Sequence, residues 1–238
     1  MDLTSTQETI LYLGTAGMAI GAVIIAVIGF SLPNVERHHV TASFFVCAIA
    51  ACAYYAMATG TGTWMVDGEP VFYARYVDWI VTTPLLLLGL LTVGLAPVTG
   101  GGEAARARNG LIGWVLGADI LMIATGLVAS LRQQNDDRWI WYIISCVFFL
   151  LVLWALFGPV KQHLEQSMSP LYMRLLGILT VLWFIYPILW VLGTEGTGTL
   201  DLTGEIAVFA VIDVLAKVGF GIVLVTGIKS RSKTHAAA

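Results

Sequence analysis

The sequence has little charge and few cysteines. Only 11% of its 238 residues are charged, against about 25% in soluble domains, and 58% are hydrophobic. A water-soluble globular protein is therefore excluded, and a net charge of −3 offers no basic surface for nucleic acid. The three cysteines lie in apolar stretches without metal-ligand spacing, so they predict neither a disulfide framework nor a metal site.

Long apolar runs fill the chain instead. About twenty apolar residues suffice for one helix to cross a bilayer. The breaks between the runs are short, and they include a polar loop from Gly60 to Pro70 and a stop at Gly158-Pro159. Such short connections indicate that consecutive helices are neighbours in space. The sequence predicts an all-α membrane protein, a bundle of seven transmembrane helices in one domain (1–238), with spans at about Thr9–Leu32, Val40–Gly60, Val71–Gly94, Asn109–Leu131, Trp139–Phe157, Tyr172–Leu192 and Gly204–Ile228.

Basic residues in the loops predict the orientation. Cytoplasmic loops of membrane proteins carry an excess of Lys and Arg. Here one side has only Arg132 and Arg138, and the other has Arg37, Arg106, Arg108, Lys161, Arg174, Lys229, Arg231 and Lys233. The N-terminus is therefore expected outside the cell and the C-terminus in the cytoplasm.

The seventh stretch carries two opposite charges near its middle. Asp213 and Lys217 are four residues apart and share one helix face. A charge at that depth costs about 2.5–3.5 kcal/mol on insertion scales, so such residues are functional by default. One interpretation is a structural ion pair between helices. The other is a lysine that condenses with a carbonyl compound, with an anion one turn away.

The third stretch carries a second buried carboxylate. Arg75, Asp78 and Thr82 are spaced i, i+3, i+7 and lie on one helix face. A structural Arg–Asp pair is the simpler interpretation, and a second anion for Lys217 is the functional one. Asp119 in the fourth stretch is a third acid, for which a protonated hydrogen-bonding group is favoured over a proton carrier.

Aromatic and small residues recur at helical spacing beside these charges. Such stripes are more often plain packing, but together with buried charges they predict a pocket for a long, flat, apolar ligand. The candidate lining residues come from the third to sixth stretches: Trp79, Thr83, Leu86, Met122, Gly126, Tyr142, Ser145, Phe149, Trp183, Tyr186, Pro187 and Trp190.

Four motifs in this order resemble the microbial rhodopsins, and within them the bacteriorhodopsin-type proton pumps. They read RYVDWIVTTPLLLL in the third stretch, GADILMIATG in the fourth, WFIYPILW in the sixth and DVLAKVGFG in the seventh. The resemblance covers all seven spans. It implies all-trans retinal, bound to Lys217 as a protonated Schiff base and enclosed by the lining residues above.

The resemblance also implies roles for the charged residues. Asp78 and Asp213 would be counterions, and Asp78 would accept the proton after light isomerises the chromophore. Thr82 would hydrogen-bond Asp78, and Arg75 would couple proton transfer to the exit, with Tyr54 as a helper. Asp119 would remain protonated and bond a neighbouring helix, while two carboxylates would form an extracellular proton-release group: Glu195 and Glu205.

One position departs from that family pattern. Bacteriorhodopsin-type pumps have an acid eleven residues after the acceptor, and here that residue is Gly89. The triplet Asp78, Thr82, Gly89 resembles a bacterial subgroup of rhodopsins with Asp-Thr-Gly. His38 and His39 on the cytoplasmic side have two interpretations, a proton-collecting pair or plain surface residues.

The resemblance therefore implies a light-driven outward proton pump, a transporter rather than an enzyme. We expect it to cross the lipid bilayer of the cell's plasma (inner) membrane several times. We also expect a homo-oligomer, because related proteins often form one. The alternative is a sensory rhodopsin that signals through a membrane transducer, although no residue indicates such a partner. A retinal-free seven-helix receptor or structural protein is the third possibility.

Overall fold

Long helices dominate the computed structural model, which describes residues 3–66, 68–95, 102–132, 136–164 and 168–236. Within those ranges, seven helical segments are long and apolar enough to cross a membrane, which confirms the predicted bundle. The helices are α1 Ser5–Gly29, α2 Arg37–Ala58, α3 Tyr73–Gly94, α4 Glu103–Ser130, α5 Asp137–Ala155, α6 Ser169–Leu192, α7 Leu202–Val214 and α8 Phe220–Ala236. A π-helical turn, Leu215–Gly219, joins α7 to α8, and the three together form the seventh span.

The helices pack mainly in chain order. From α1 to α5 each helix lies against the next, and the seventh span closes the bundle by packing on α1. Two spans are central: 61% of the apolar window is buried in both α3 and the seventh span, against 28–33% in the others. The two spans that carry Asp78, Asp213 and Lys217 are therefore the two most buried.

The structure differs from the sequence expectations at three places. The segment from Gly60 to Pro70 is not only a loop, because Trp64–Val66 and Glu69–Val71 (β1 and β2) pair as an antiparallel hairpin. The fourth helix begins at Glu103, six residues before the expected Asn109.

The fifth span does not stop at Gly158-Pro159 either. Its backbone continues through a π-helical turn, Leu156–Val160. Proline cannot donate the backbone hydrogen bond of a regular α-helix, and a wider turn accommodates it. The carbonyl of Leu156 accepts a hydrogen bond from the Tyr172 hydroxyl at 2.9 Å, so this turn is also held by α6.

Close packing of α1 on α2 places a tyrosine at the centre of the bundle. A Cβ atom on Gly14 would lie 2.5 Å from the Tyr54 ring, so only glycine leaves room for that ring. The Tyr54 side chain is 2% exposed, and its hydroxyl reaches across to α7. A small residue on one helix thus sets the position of a polar group on its neighbour.

We expect Gly14→Ala to displace the Tyr54 ring and to destabilise the protein by about 1–3 kcal/mol, the usual cost of overpacking. The matched control is Gly113→Ala on α4, where a Cβ would meet nothing within 4 Å. That change should be neutral or slightly stabilising, since alanine is the better helix former. Thermal unfolding midpoints in detergent measure both effects, and equal midpoints for the two variants would contradict this packing.

Candidate functional site

The side chain of Lys217 lies between two carboxylates from different helices. Its Nζ is 2.7 Å from Asp213 Oδ1 and 3.1 Å from Asp78 Oδ2. The three side chains are 2%, 0% and 1% exposed. The π-helical turn Leu215–Gly219 carries the lysine, while Asp213 precedes it on α7 and Asp78 stands on α3. The structure thus brings Asp78 of α3 against the Asp213–Lys217 pair of the seventh span, whereas Arg75 pairs with Glu205 instead of Asp78.

Asp213 is held by donors from three further helices. Its oxygens accept hydrogen bonds from the hydroxyls of Tyr54 on α2 at 2.7 Å and Tyr186 on α6 at 2.8 Å. The indole Nε1 of Trp79 donates to it at 3.4 Å. A carboxylate with this many donors is stabilised in its charged form.

Asp78 has far fewer partners. Its Oδ2 faces Lys217, while Oδ1 is buried without a hydrogen-bond partner among the described residues. Thr82 bonds to this residue as expected, but its hydroxyl donates to the backbone oxygen of Asp78, at 2.9 Å. The two carboxylates beside the lysine therefore differ in kind: one is fully hydrogen-bonded, and the other has an open acceptor oxygen.

An apolar cavity begins at Lys217 and extends between α3, α4, α5 and α6. Its empty space is about 830 Å³, including the part open to the outside. All the lining residues expected from the sequence border it: Trp79, Thr83, Leu86, Met122, Gly126, Tyr142, Ser145, Phe149, Trp183, Tyr186, Pro187 and Trp190.

Hydrogen bonds and ring contacts fix these walls. The rings of Tyr142 and Trp190 stack at 4.6 Å between centroids, and the Tyr142 hydroxyl donates to the backbone oxygen of Pro187 at 3.1 Å. Ser145 donates to the backbone oxygen of Met122 at 2.8 Å, which ties α5 to α4. The cavity walls are thus held in place by contacts between helices.

Sequence reasoning missed five residues of the wall. Four of them are chain neighbours of identified residues, and only the tertiary packing shows that they face inward: Tyr76 after Arg75, Ile123 after Met122, Cys146 after Ser145 and Ala216 before Lys217. The fifth, Phe209 on α7, gave no signal in the sequence.

The cavity fits a long polyene aldehyde such as retinal. A buried lysine amine at one end can hold a carbonyl carbon, and two carboxylates beside it can balance a positive nitrogen. Aromatic and aliphatic side chains along the cavity match an apolar chain. The residues present therefore suit this group.

A second polar cluster lies towards the first turns of α3 and α7. Arg75 Nη1 is 3.0 Å from Glu205 Oε1, and both side chains are 2% exposed. The guanidinium also lies 3.9 Å from the Phe209 ring centroid, while Thr194 donates to Glu205 Oε2 from its backbone nitrogen and its hydroxyl, each at 2.9 Å. This ion pair stands one helical turn along α3 from Asp78.

Glu195, in the turn after α6, has a separate set of partners. Tyr76 donates to its Oε2 at 2.8 Å, and the Tyr76 hydroxyl also bonds Ser130, which accepts from Trp190 at 2.9 Å. Burial, together with the charge of Glu205, raises the pKa of Glu195 to about 7. This carboxyl group can therefore hold or release a proton near neutral pH.

Asp119 lies apart from both clusters. Its Oδ2 accepts a hydrogen bond from the Thr83 hydroxyl on α3 at 2.8 Å, so it bridges α4 and α3 beside the cavity. Its other oxygen has no partner in the described part of the protein. The geometry suits a hydrogen-bonding group between helices.

At the end of the bundle opposite Glu195, few of the buried side chains that the structure describes are polar. Gly89 is buried, and a Cβ there would lie 3.3 Å from Leu224. His38 is exposed but His39 is only 4% exposed, so a surface position is wrong for His39.

Three comparisons with known proteins agree with this architecture. Residues 5–230 match the family model of the bacteriorhodopsin-like proteins. A bacteriorhodopsin of a Haloterrigena species is 37% identical over 98% of this chain and 91% of its own. The thermophilic rhodopsin of Rubrobacter xylanophilus superposes with a TM-score of 0.87 at 35% identity, covering 94% of this chain and 96% of that one. A light-driven proton pump of Coccomyxa subellipsoidea superposes with a TM-score of 0.84 at 36% identity, over 94% and 98% of the two chains.

We expect Asp213→Asn to destabilise the retinal-free protein more than Asp78→Asn does. Removing one member of a buried ion pair costs about 3–5 kcal/mol, and Asp213 also accepts from Tyr54 and Tyr186. Among the described residues, Asp78 has one charged partner, Lys217. Thermal unfolding in detergent measures the difference, and a larger loss for Asp78→Asn would refute this ranking.

We expect Glu195 to make stability depend on pH. The folded protein holds this proton up to about pH 7, whereas the ordinary pKa is 4.5. Its contribution is therefore complete below about pH 4.5 and is lost as the pH rises through about 7. Glu195→Gln should flatten this part of the stability profile, whereas Glu8→Gln, at an exposed carboxylate, should leave it unchanged. Identical profiles for wild type and Glu195→Gln would contradict the assignment.

Proposed function

The chain belongs to the bacteriorhodopsin-like family of light-driven retinal proteins, and we propose that it pumps protons outward across the membrane. The observation that carries the proposal is the asymmetry of the two carboxylates beside Lys217. Asp213 is saturated with donors, whereas Asp78 lies 3.1 Å from Nζ with one oxygen open. A vectorial pump needs one fixed anion and one that can take a proton.

The proposal assigns the cavity to all-trans retinal, held covalently by the Lys217 nitrogen. The aromatic walls exclude water and restrict the shapes that the chain of the ligand can take. Retinal supplies the absorption of visible light and the change of shape that follows. The protein supplies the fixed charges that this change acts on.

Proton transfer runs from the Lys217 nitrogen to Asp78. Asp78 shares Lys217 with the stronger anion Asp213, so it is the carboxylate that gains most from protonation. Asp213 keeps its charge, because protonation would remove acceptor sites for Tyr54 and Tyr186. The two acids therefore act as acceptor and permanent counterion.

The exit path of the proton lies beyond Arg75. Neutralising Asp78 changes the field on the guanidinium one turn away, which is paired with Glu205 at 3.0 Å. Any movement of that cation alters the charge that Glu195 faces, and the pKa of Glu195 is already about 7. Glu195 and Glu205 form the release group in this scheme, with Tyr76 holding the first.

The direction of transport follows from the distribution of basic residues. The excess of Lys and Arg on the side of the C-terminus places that side in the cytoplasm, by the rule for loop charges. The cluster of Glu195 and Glu205 then faces outward across the plasma membrane. Similar structures support the same activity, since the rhodopsins of Coccomyxa subellipsoidea and Leptosphaeria maculans are described as light-driven proton pumps.

We expect illumination to acidify an unbuffered suspension of cells that express the protein with added retinal, and a protonophore to abolish the signal. Lys217→Ala should remove both colour and pumping, because it removes the attachment atom. Asp78→Asn should keep colour, shifted to the red, and stop transport, because the acceptor is lost while the pocket remains. A glass pH electrode and an absorption spectrum record all three.

Coloured cells that do not acidify the medium would overturn the pump and favour a light sensor. Co-purification of a membrane transducer with the pigment would then identify the alternative. Alkalinisation on illumination would contradict the assigned direction.

A further inference from the structure

Retinal needs a way into a cavity whose two ends are closed. At one end, the rings of Trp139, Tyr142 and Trp190 pack together, with centroids 4.6–6.0 Å apart. At the other end, side chains of α6 fill the interior, since Leu175 and Leu179 are at most 1% exposed. A route through either end would have to displace these packed groups. The route of entry depends on the assignment of the cavity to retinal and not on pumping.

Packed helices close most sides of the cavity as well. Helix α4 lies against both α3 and α5, and α6 lies against α3 and the seventh span. Among the described helices that line the cavity, α5 and α6 are the adjacent pair whose backbones hardly approach each other. Part of the cavity is open to the outside, and this side is the one that packed backbone does not close. We call the strip between residues 142–149 of α5 and 183–190 of α6 the α5–α6 groove.

In the part of the chain that the structure describes, side chains rather than backbone bridge the α5–α6 groove. Tyr142 stacks on Trp190, and its hydroxyl donates to the backbone oxygen of Pro187 at 3.1 Å. The rings of Phe149 and Phe184 meet edge to face, with centroids 5.0 Å apart. Inside a bilayer, helices are held together by close packing and hydrogen bonds, because apolar side chains gain nothing by leaving lipid. This helix pair has little backbone packing and one described hydrogen bond at the level of the cavity, so it is the pair that separates at the lowest cost.

The two helices that border the groove present an apolar surface to the lipid. Residues 139–155 and 175–192, which include most of both helices, carry no charged side chain. Large apolar side chains are exposed along both helices: Ile143, Val147, Leu150, Val181, Phe184 and Ile188. Retinal is apolar, so it dissolves in the acyl chains of the bilayer. It therefore meets no charge of α5 or α6 on its way from the bilayer to the cavity.

Pro187 gives α6 a point at which it can bend. Proline has no backbone N–H, so the helix lacks one hydrogen bond at this level, and helices kink at such positions. The backbone oxygen of this same residue accepts the hydrogen bond from Tyr142 across the groove. Loss of that contact therefore frees α6 at the position where its own hydrogen bonding is already weakest.

We propose that the α5–α6 groove is the site at which retinal binds from the bilayer and enters the protein, with Tyr142 and Phe184 as the two side chains that move to admit it. The occupant is a slender apolar polyene, because the groove is continuous with the cavity that such a molecule fits. Phe184 is 43% exposed and forms the outer side of the groove, while Tyr142 lines the inner side. Entry makes and breaks no covalent bond, and it ends when the aldehyde reaches the amine of Lys217.

The first test measures entry into retinal-free protein in lipid vesicles after mixing with vesicles that carry all-trans retinal. Quenching of tryptophan fluorescence that is absent from protein already loaded with retinal reports entry, and the appearance of colour reports attachment to Lys217. We expect entry into Tyr142→Phe to be about twofold to tenfold faster than into wild type, because that factor corresponds to one neutral hydrogen bond. This variant keeps the ring that stacks on Trp190.

Tyr73→Phe is the matched control. Tyr73 also stacks on a tryptophan, Trp64, at 4.3 Å between centroids, and its hydroxyl also donates to a backbone oxygen, that of Thr61, at 2.6 Å. It contacts the β1–β2 hairpin and does not line the cavity. Entry into this variant should be as fast as into wild type. An unchanged rate in Tyr142→Phe, or an equal gain in both tyrosine variants, would overturn the proposal.

The second test removes the outer ring of the groove. We expect Phe184→Ala to speed entry, whereas Phe45→Ala should not. Phe45 on α2 is similarly exposed, at 50%, and its ring also contacts a phenylalanine ring, that of Phe44 at 5.5 Å. Thermal unfolding midpoints without retinal establish that each variant is folded. Equal entry rates in the two alanine variants would refute this route, whereas wild-type protein that never gains colour would defeat the assignment of the cavity to retinal itself.

Discussion

The contact of Lys217 with Asp213 and Asp78 is the constraint on which the rest of the structure depends. At 2.7 Å and an effective dielectric of about 20, one such pair gains about 6 kcal/mol of Coulomb attraction. Removing each ion from water costs several kcal/mol, so the group contributes little net stability. Apolar side chains of similar volume would stabilise a helix bundle equally well. The charges are therefore better explained by proton transfer than by folding.

The packing of the bundle follows from the need to enclose these charges. The two spans that carry them are the two most buried, and donors from α2, α3 and α6 converge on Asp213. Gly14 on α1 leaves the space that lets Tyr54 reach that carboxylate. Shielding from lipid, hydrogen bonding and close helix packing thus serve one site.

The ionisable groups form an ordered series along the bundle axis. Lys217 is paired with Asp78, Arg75 one turn away is paired with Glu205, and Glu195 is held nearby by Tyr76. In the opposite direction the described interior is mostly apolar, apart from the face of α2 that begins at His39. This unequal distribution of polar groups gives a direction to any proton that leaves the lysine nitrogen.

Local sequence patterns specified the seven spans, the charged faces of α3 and the seventh span, and twelve of the residues that line the cavity. Hydropathy and helical spacing are local properties, so they can be read along the chain. Other features depend on which side chains the neighbouring helices bring near. Asp213 is saturated with hydrogen-bond donors while Asp78 has an oxygen without a partner among the described residues. Tyr76 holds Glu195, and His39 is buried. The hairpin and the π-helical turn at Pro159 also depend on tertiary contacts. The hairpin needs the pairing of β1 with β2, and in the turn the carbonyl of Leu156 accepts a hydrogen bond from Tyr172 on α6.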